Sequence, residues 1–236
     1  MGKYGGWKFL VSETATAVDV KMSLKLAILD ITEEKKTNLN ALGRAVERQL
    51  KKTYQISYIT NAIGGQNVIN IKSGLDGYHN RRISLPVKKN VYVSFNMQYR
   101  IVTKERQRMS DEHLLEIHED VGMFRTIYGR ANSLGGNKVQ LNVRFVPDMI
   151  GSIDNNTLPH EFGHTLTLLH VNEGATLKID KNQFFSLSHQ YFSKDTTNIM
   201  FKGGSSQMND LTSITIIGLQ MDIIIRNYRR GLLNQG

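Results

Sequence analysis

His160-Glu161-Phe162-Gly163-His164-Thr165-Leu166-Thr167-Leu168-Leu169-His170 is the stretch on which the reading of this chain turns. On an α-helix, residues four apart are rotated by only about 40° and stacked one turn apart, so the imidazoles of His160 and His164 can reach one ion. Glu161 lies beside them, placed to take a proton from a water held there. On the far side of the wheel, Phe162, Leu166 and Leu169 form an apolar stripe that would hold the helix to a core while the histidines face a cleft. A catalytic zinc usually takes three protein ligands and keeps a fourth position for water, which makes His170 the candidate third ligand. A straight helix would carry His170 about 15 Å along its axis from His160, against a bond of about 2 Å, so the helix has to break before it.

With 7 histidines in 236 residues, chance produces the motif through His170 in about one chain in four thousand. The stretch resembles the signature of the metzincin metallopeptidases, H-E-x-x-H-x-x-G-x-x-H followed by a Met-turn, and Asn198-Ile199-Met200 resembles that turn. One position departs. Where the family has a glycine that lets the chain leave the helix with φ > 0, this chain has Thr167, and a β-branched residue there is an outlier. Either the turn is made differently or the third ligand lies elsewhere. In that second case Asn172-Glu173-Gly174 would cap a longer helix carrying His170, and the remaining ligand candidates are His189, Asp180 and Asp195. A distant glutamate ligand, as in another zincin class, has no candidate, because Glu173 is the last glutamate of the chain.

The resemblance implies an α+β, zincin-like fold. A twisted mixed sheet with packed helices would stand above the active-site helix, and a smaller C-terminal subdomain would end in a closing helix. It implies a zinc endopeptidase with Zn2+ on His160, His164 and His170, Glu161 as general base, and Met200 packed beneath the ligands. A polypeptide substrate would run along an edge strand at Gly129, Ala131 and Asn132, with Phe201-Lys202-Gly203-Gly204 lining a side-chain pocket. Three other readings stand beside it: a zincin-like binding module without activity, a toxin or effector protease domain of a larger bacterial protein, and a basic nucleic-acid-binding domain.

Composition bounds these readings. The length and the 40% apolar content suffice for a core. No run approaches the eighteen or so apolar residues of a membrane span, and Met1-Gly2-Lys3-Tyr4-Gly5-Gly6 lacks the apolar core of a secretory signal. Delivery outside the producing cell, by a route not visible in this chain, is the expectation. The absence of cysteine removes disulfides, thiolate ligands and cysteine nucleophiles. The net charge of +9 is spread over small groups such as Arg81-Arg82, Lys88-Lys89 and Arg229-Arg230 with no aromatic interleaving, which favours a solvated basic surface over a nucleic-acid site.

In chain order, residues 1–17 read as an irregular arm, although Trp7-Lys8-Phe9-Leu10-Val11 could pair with a sheet edge. Residues 18–236 read as one catalytic domain, its upper part reaching to about 170 and its lower part from about 171. Period-two alternation predicts strands over Val18–Ile31 and Val91–Val102. Asn38 or Thr37 caps a helix in which Leu39, Leu42, Val46 and Leu50 recur at helical spacing. Tyr54–Ile59 and Val68–Ile71, around Gly64-Gly65, suggest a strand pair, and residues 72–90, holding His79, a surface connection. Ser110-Asp111-Glu112 opens a short helix to Asp120 with His113 and His118 on its surface. Phe124–Asn132 and Lys138–Val146 are strands about a turn, Pro147–Asn156 a loop, and Thr157 with Pro159 the start of the histidine helix. Finally, Thr212 caps a helix carrying Ile214, Ile217, Met221, Ile224 and Tyr228.

Overall fold

The structure, a computed structural model, describes residues 5–60, 88–120, 127–170, 197–201 and 215–235. Two fourteen-residue strands, β2 (Ala17–Asp30) and β4 (Lys89–Val102), form its frame and run parallel from Ala17 opposite Asn90 to Leu29 opposite Val102. Their alternation decides their faces: Val18, Val20, Met22, Leu24, Leu26 and Ile28 join Val91, Val93, Phe95 and Met97 in the core. Asp19, Lys21, Tyr92, Ser94 and Asn96 point to solvent.

The other edge of β2 is shared. β1 (Trp7–Glu13) pairs antiparallel with its first half, Trp7 opposite Leu24, and β5 (His113–His118) pairs parallel with its second, His113 opposite Leu26. β3 (Ser57–Thr60) lies antiparallel outside β4. On the far side β7 (Lys138–Asn142) adds parallel to β5, and β6 (Gly129–Ala131) adds antiparallel as the last strand. The order is β3-β4-β2-β5-β7-β6, with β1 branching from β2.

One face of this mixed sheet carries the helices. α1 (Leu39–Tyr54) is capped by Asn38, whose Oδ1 accepts the Ala41 N–H at 3.0 Å, and buries Leu42, Val46 and Leu50. α2 (Val146–Ile150) and α3 (Thr157–Thr165) pack against it, and α4 (Gly218–Arg229) buries Met221, Ile224 and Ile225 in the same core. Among the described residues no helix is long and apolar enough to cross a membrane.

Several expectations change. The arm is not irregular throughout: the pairing that Trp7–Val11 allowed is made, as β1, and Trp7 is fully buried. The helix expected from Ser110 is strand β5, and His113 is a core residue. Its opening Ser-Asp-Glu serves a turn instead, with Glu112 bound bidentately by Arg100 at 2.6 and 2.8 Å and Asp111 by Lys25 at 2.6 Å. The period-two set His113, Leu115 and Ile117 faces the helix layer. Pro147–Asn156 contains the short helix α2, with Pro147 in its first turn. Tyr54 ends α1 rather than starting a strand, and the closing helix begins at Gly218. Val68–Ile71, residues 72–87 with His79, Phe124, Asp180, His189, Asp195, Lys202–Gly204, Thr212 and Ile214 lie outside the described residues.

Candidate metal centre

Helix α3 is fixed at its start, flank and underside before its histidines come into play. At its start, Asp154 Oδ1 accepts the N–H groups of Asn156 and Thr157 at 2.9 and 3.0 Å, satisfying donors the helix itself cannot. On its buried flank, Phe162 meets the Trp7 ring edge-on at 6.2 Å, and Trp7 Nε1 donates to Thr165 Oγ1 at 2.9 Å. Beneath it, the Tyr54 hydroxyl donates to the Pro159 carbonyl at 2.7 Å. Met200 is packed against Gly163 so closely that a Cβ there would lie 2.5 Å from its sulfur. A larger residue at 163 would have to displace the buried Met200 side chain and press on the Tyr54 hydroxyl, 3.0 Å from the same Cβ.

The helix ends after Thr165, the break that His170 as a third ligand would need. Leu166 caps it, and Thr167 takes φ +72°, the left-handed conformation that glycine would adopt without cost. Thr167 N–H donates to the His164 carbonyl at 2.9 Å and Leu168 N–H to the Gly163 carbonyl at 3.0 Å, the two bonds of a Schellman motif. A β-branched residue thus makes the glycine turn. Its buried Oγ1 donates to the Leu166 carbonyl and accepts from Asn227 Nδ2 of α4 at 2.7 Å. Because the helix stops, Leu168 rather than Leu169 completes the buried stripe begun by Phe162 and Leu166.

The turn brings His170 back to the helix. His170 Nε2 lies 3.1 Å from His160 Nε2 and 3.2 Å from His164 Nε2. His160 Nδ1 is 2.7 Å from the Ile199 carbonyl and His164 Nδ1 is 2.8 Å from the Leu168 carbonyl. A carbonyl oxygen only accepts, so in both rings the proton belongs on Nδ1 and Nε2 presents a lone pair, an assignment made from the acceptors. Burial, and next the neighbouring His160, pull the pKa of His164 down to about 4, which keeps that ring neutral. The lone pairs of His160 and His164 thus both face His170 Nε2, and a cation between the three rings would be bound by all of them once His170 also presents a lone pair. Four-coordinate zinc with bonds of about 2.0–2.1 Å sets its nitrogen ligands about 3.3 Å apart, so the donor set fits. Among the described residues this is the one group of three or more His, Asp or Glu side chains gathered closely enough to hold a metal ion.

Glu161 stands between the triad and the sheet edge. Its Oε2 accepts the Ala131 N–H of β6 at 2.7 Å. Burial raises its pKa, against the opposing pull of His164 and of that N–H, giving a carboxylate more basic than an exposed one. Among the described residues β6 is an edge strand. Asn132 N–H goes to the Lys138 carbonyl and Asn142 N–H to the Tyr128 carbonyl, so the intervening Gly129 and Ala131 direct their main-chain groups away from β7. A Cβ on Gly129 would come within 3.0 Å of Thr157 Cγ2 and 3.1 Å of Glu161 Cγ, so this glycine lets α3 approach the edge.

The structure therefore gathers His160, Glu161, His164 and His170 with Gly129 and Ala131, and packs Met200 against Gly163 of the same helix. Asn132 faces β7, its Oδ1 accepting from Lys138 N at 3.2 Å. Sequence reasoning missed Tyr54, Asp154, Gln220 and Asn227. The last two carried a readable signal: both are amides on the apolar face of a helix, three or four residues from Ile224, where side chains are normally buried.

Comparison with known protein families gives no match, and comparison with curated protein sequences gives none either. Among solved structures the chain is similar to the crystal structure of an archaemetzincin from Methanopyrus kandleri. The two share 12% identity over 94% of this chain and 100% of that chain, with a TM-score of 0.46.

Proposed function

We propose that the protein is a zinc-dependent endopeptidase of metzincin type, with His160, His164 and His170 as ligands and Glu161 as general base. The observation that carries this is the convergence of three imidazole Nε2 atoms, two of them locked in the metal-binding tautomer by the carbonyls of Ile199 and Leu168. Zinc bound there supplies Lewis acidity, polarising a carbonyl and making water acidic near neutral pH. The chain supplies the rest. Glu161, raised in basicity by burial and oriented by the Ala131 N–H, takes the proton of the attacking water and delivers it to the leaving amine. The outward main chain of Gly129 and the Ala131 carbonyl offer hydrogen bonds to an extended polypeptide whatever its sequence, the Ala131 N–H being engaged by Glu161. Asn198-Ile199-Met200 reads as the Met-turn: Met200 packs on Gly163, and the Ile199 carbonyl orients His160.

The test is metal analysis joined to a cleavage assay. The purified chain is expected to hold about one zinc per molecule and to cut an unfolded polypeptide, activity that a chelator abolishes and added zinc restores. A chain that takes up no zinc sinks the metal reading. One zinc with no cleavage of any unfolded polypeptide leaves a binding module instead.

A further inference from the structure

Helix α4 touches the candidate metal centre twice, through buried amides seven residues apart and so on one face. Gln220 forms a closed pair with Asn198: its Oε1 accepts from Asn198 Nδ2 at 2.9 Å and its Nε2 donates to Asn198 Oδ1 at 3.1 Å. Asn198 Oδ1 also accepts the Met200 N–H at 2.9 Å, and the Asn198 carbonyl accepts the Phe201 N–H at 3.0 Å. This turn presents the Ile199 carbonyl to His160. Two helical turns on, Asn227 Nδ2 donates to Thr167 Oγ1. The residue after Thr167 gives its carbonyl to His164, and His170 follows two residues later.

We propose that α4 is a splint for the ligand set, with Gln220 and Asn227 as positioning residues for the imidazoles. Each carbonyl that orients a histidine belongs to the residue next to one that α4 holds. The Thr167 contact does the more demanding task. A non-glycine residue held at φ +72° is strained by about 1–3 kcal/mol, and release of that strain would swing Leu168 and His170 off the helix end. The hydroxyl–amide bond, made in a fully buried setting, opposes that release. Asn227 is not there for its own satisfaction, since its Oδ1 is buried without a hydrogen-bond partner among the described residues.

This inference rests on reading the triad as metal ligands, and one experiment separates the two. Metal-free chain is titrated with Co2+ and followed by its visible absorption, which reports both affinity and coordination geometry. Asn227→Leu keeps the volume, removes the orphaned carbonyl and so favours folding. It is expected to bind Co2+ about 10–100-fold more weakly than the wild type, with an altered spectrum and no fall in Tm. Adding Thr167→Gly to Asn227→Leu should restore affinity to within about threefold and restore the spectrum, because glycine holds the turn unaided. Gln220→Met should weaken binding too, and Thr167→Gly should not rescue it. Wild-type chain that fails to bind Co2+ overturns the metal reading. Wild-type binding with Asn227→Leu equal to it, or with no rescue by Thr167→Gly, overturns the splint alone. If Asn227→Leu does not fold, the same cycle run with Asn227→Ala decides in the same way.

Discussion

Glu161 and Gly163 show how narrow the tolerances are for single residues. Glu161→Gln keeps the shape of the side chain and can still accept the Ala131 N–H, but it cannot take a proton. Cleavage should fall about 10²–10⁴-fold while zinc content, read by elemental analysis, stays at the wild-type level. His164→Ala should lose both. Gly163→Ala drives a methyl against Met200 and should cost about 1–3 kcal/mol in urea unfolding. Combined with Met200→Ala the losses should sum to less than the two singles, since the atom that was struck is gone. Strict additivity would show that the contact is not what requires glycine. Thr167 carries the same lesson in reverse: the residue type argued against the turn, and a partner on another helix supplies the compensation.

At the level of elements, α3 depends on a cap that lies outside it. Asp154→Ala removes the acceptor for two N–H groups at its start and should cost about 0.5–2 kcal/mol, with faster hydrogen exchange confined to the first turn of α3. Unchanged exchange there would assign the capping to another group. Strong alternation made β2 and β4 legible, because one buried face imposes period two on the sequence. β5 was misread because Ser110-Asp111-Glu112 has the composition of a helix start, and only Arg100 and Lys25, supplied by neighbouring strands, convert it into a turn. β1 was half-legible: its sequence allowed pairing, and the vacant half-edge of β2 next to β5 accepts it.

Across the whole molecule, the sheet buries a histidine that the metal site does not use. His113 Nδ1 accepts the Gly6 N–H at 2.7 Å, and burial, against the pull of the Gly136 carbonyl and aided by Arg108, lowers its pKa from 6.5 to about 3. The folded value lies below the unfolded one, so between about pH 6.5 and 3 the unfolded chain binds the extra proton. The contribution is fully present above pH 6.5 and shrinks as pH falls, by up to about 1.4 kcal/mol per unit. Urea midpoints of metal-free wild type and His113→Gln, measured from pH 7 to pH 5, should show the steeper acid loss in the wild type. Parallel slopes would mean that His113 is not the group being titrated.

The sequence by itself determined the helix-borne pair His160 and His164 with Glu161, the strands β2 and β4 and the helix α1, because each rests on a local periodicity that no distant residue can alter. Only the tertiary structure decided that Thr167 makes a left-handed turn, that His170 returns to the pair, that the carbonyls of Ile199 and Leu168 fix the imidazoles, and that His113 is core. Those outcomes depend on hydrogen bonds across long stretches of chain, among them Asn227 to Thr167 and Gln220 to Asn198, and on close approaches such as Met200 to Gly163. Such contacts leave no period in the sequence, since each is a single pair whose partners become neighbours only when the sheet and α4 have packed.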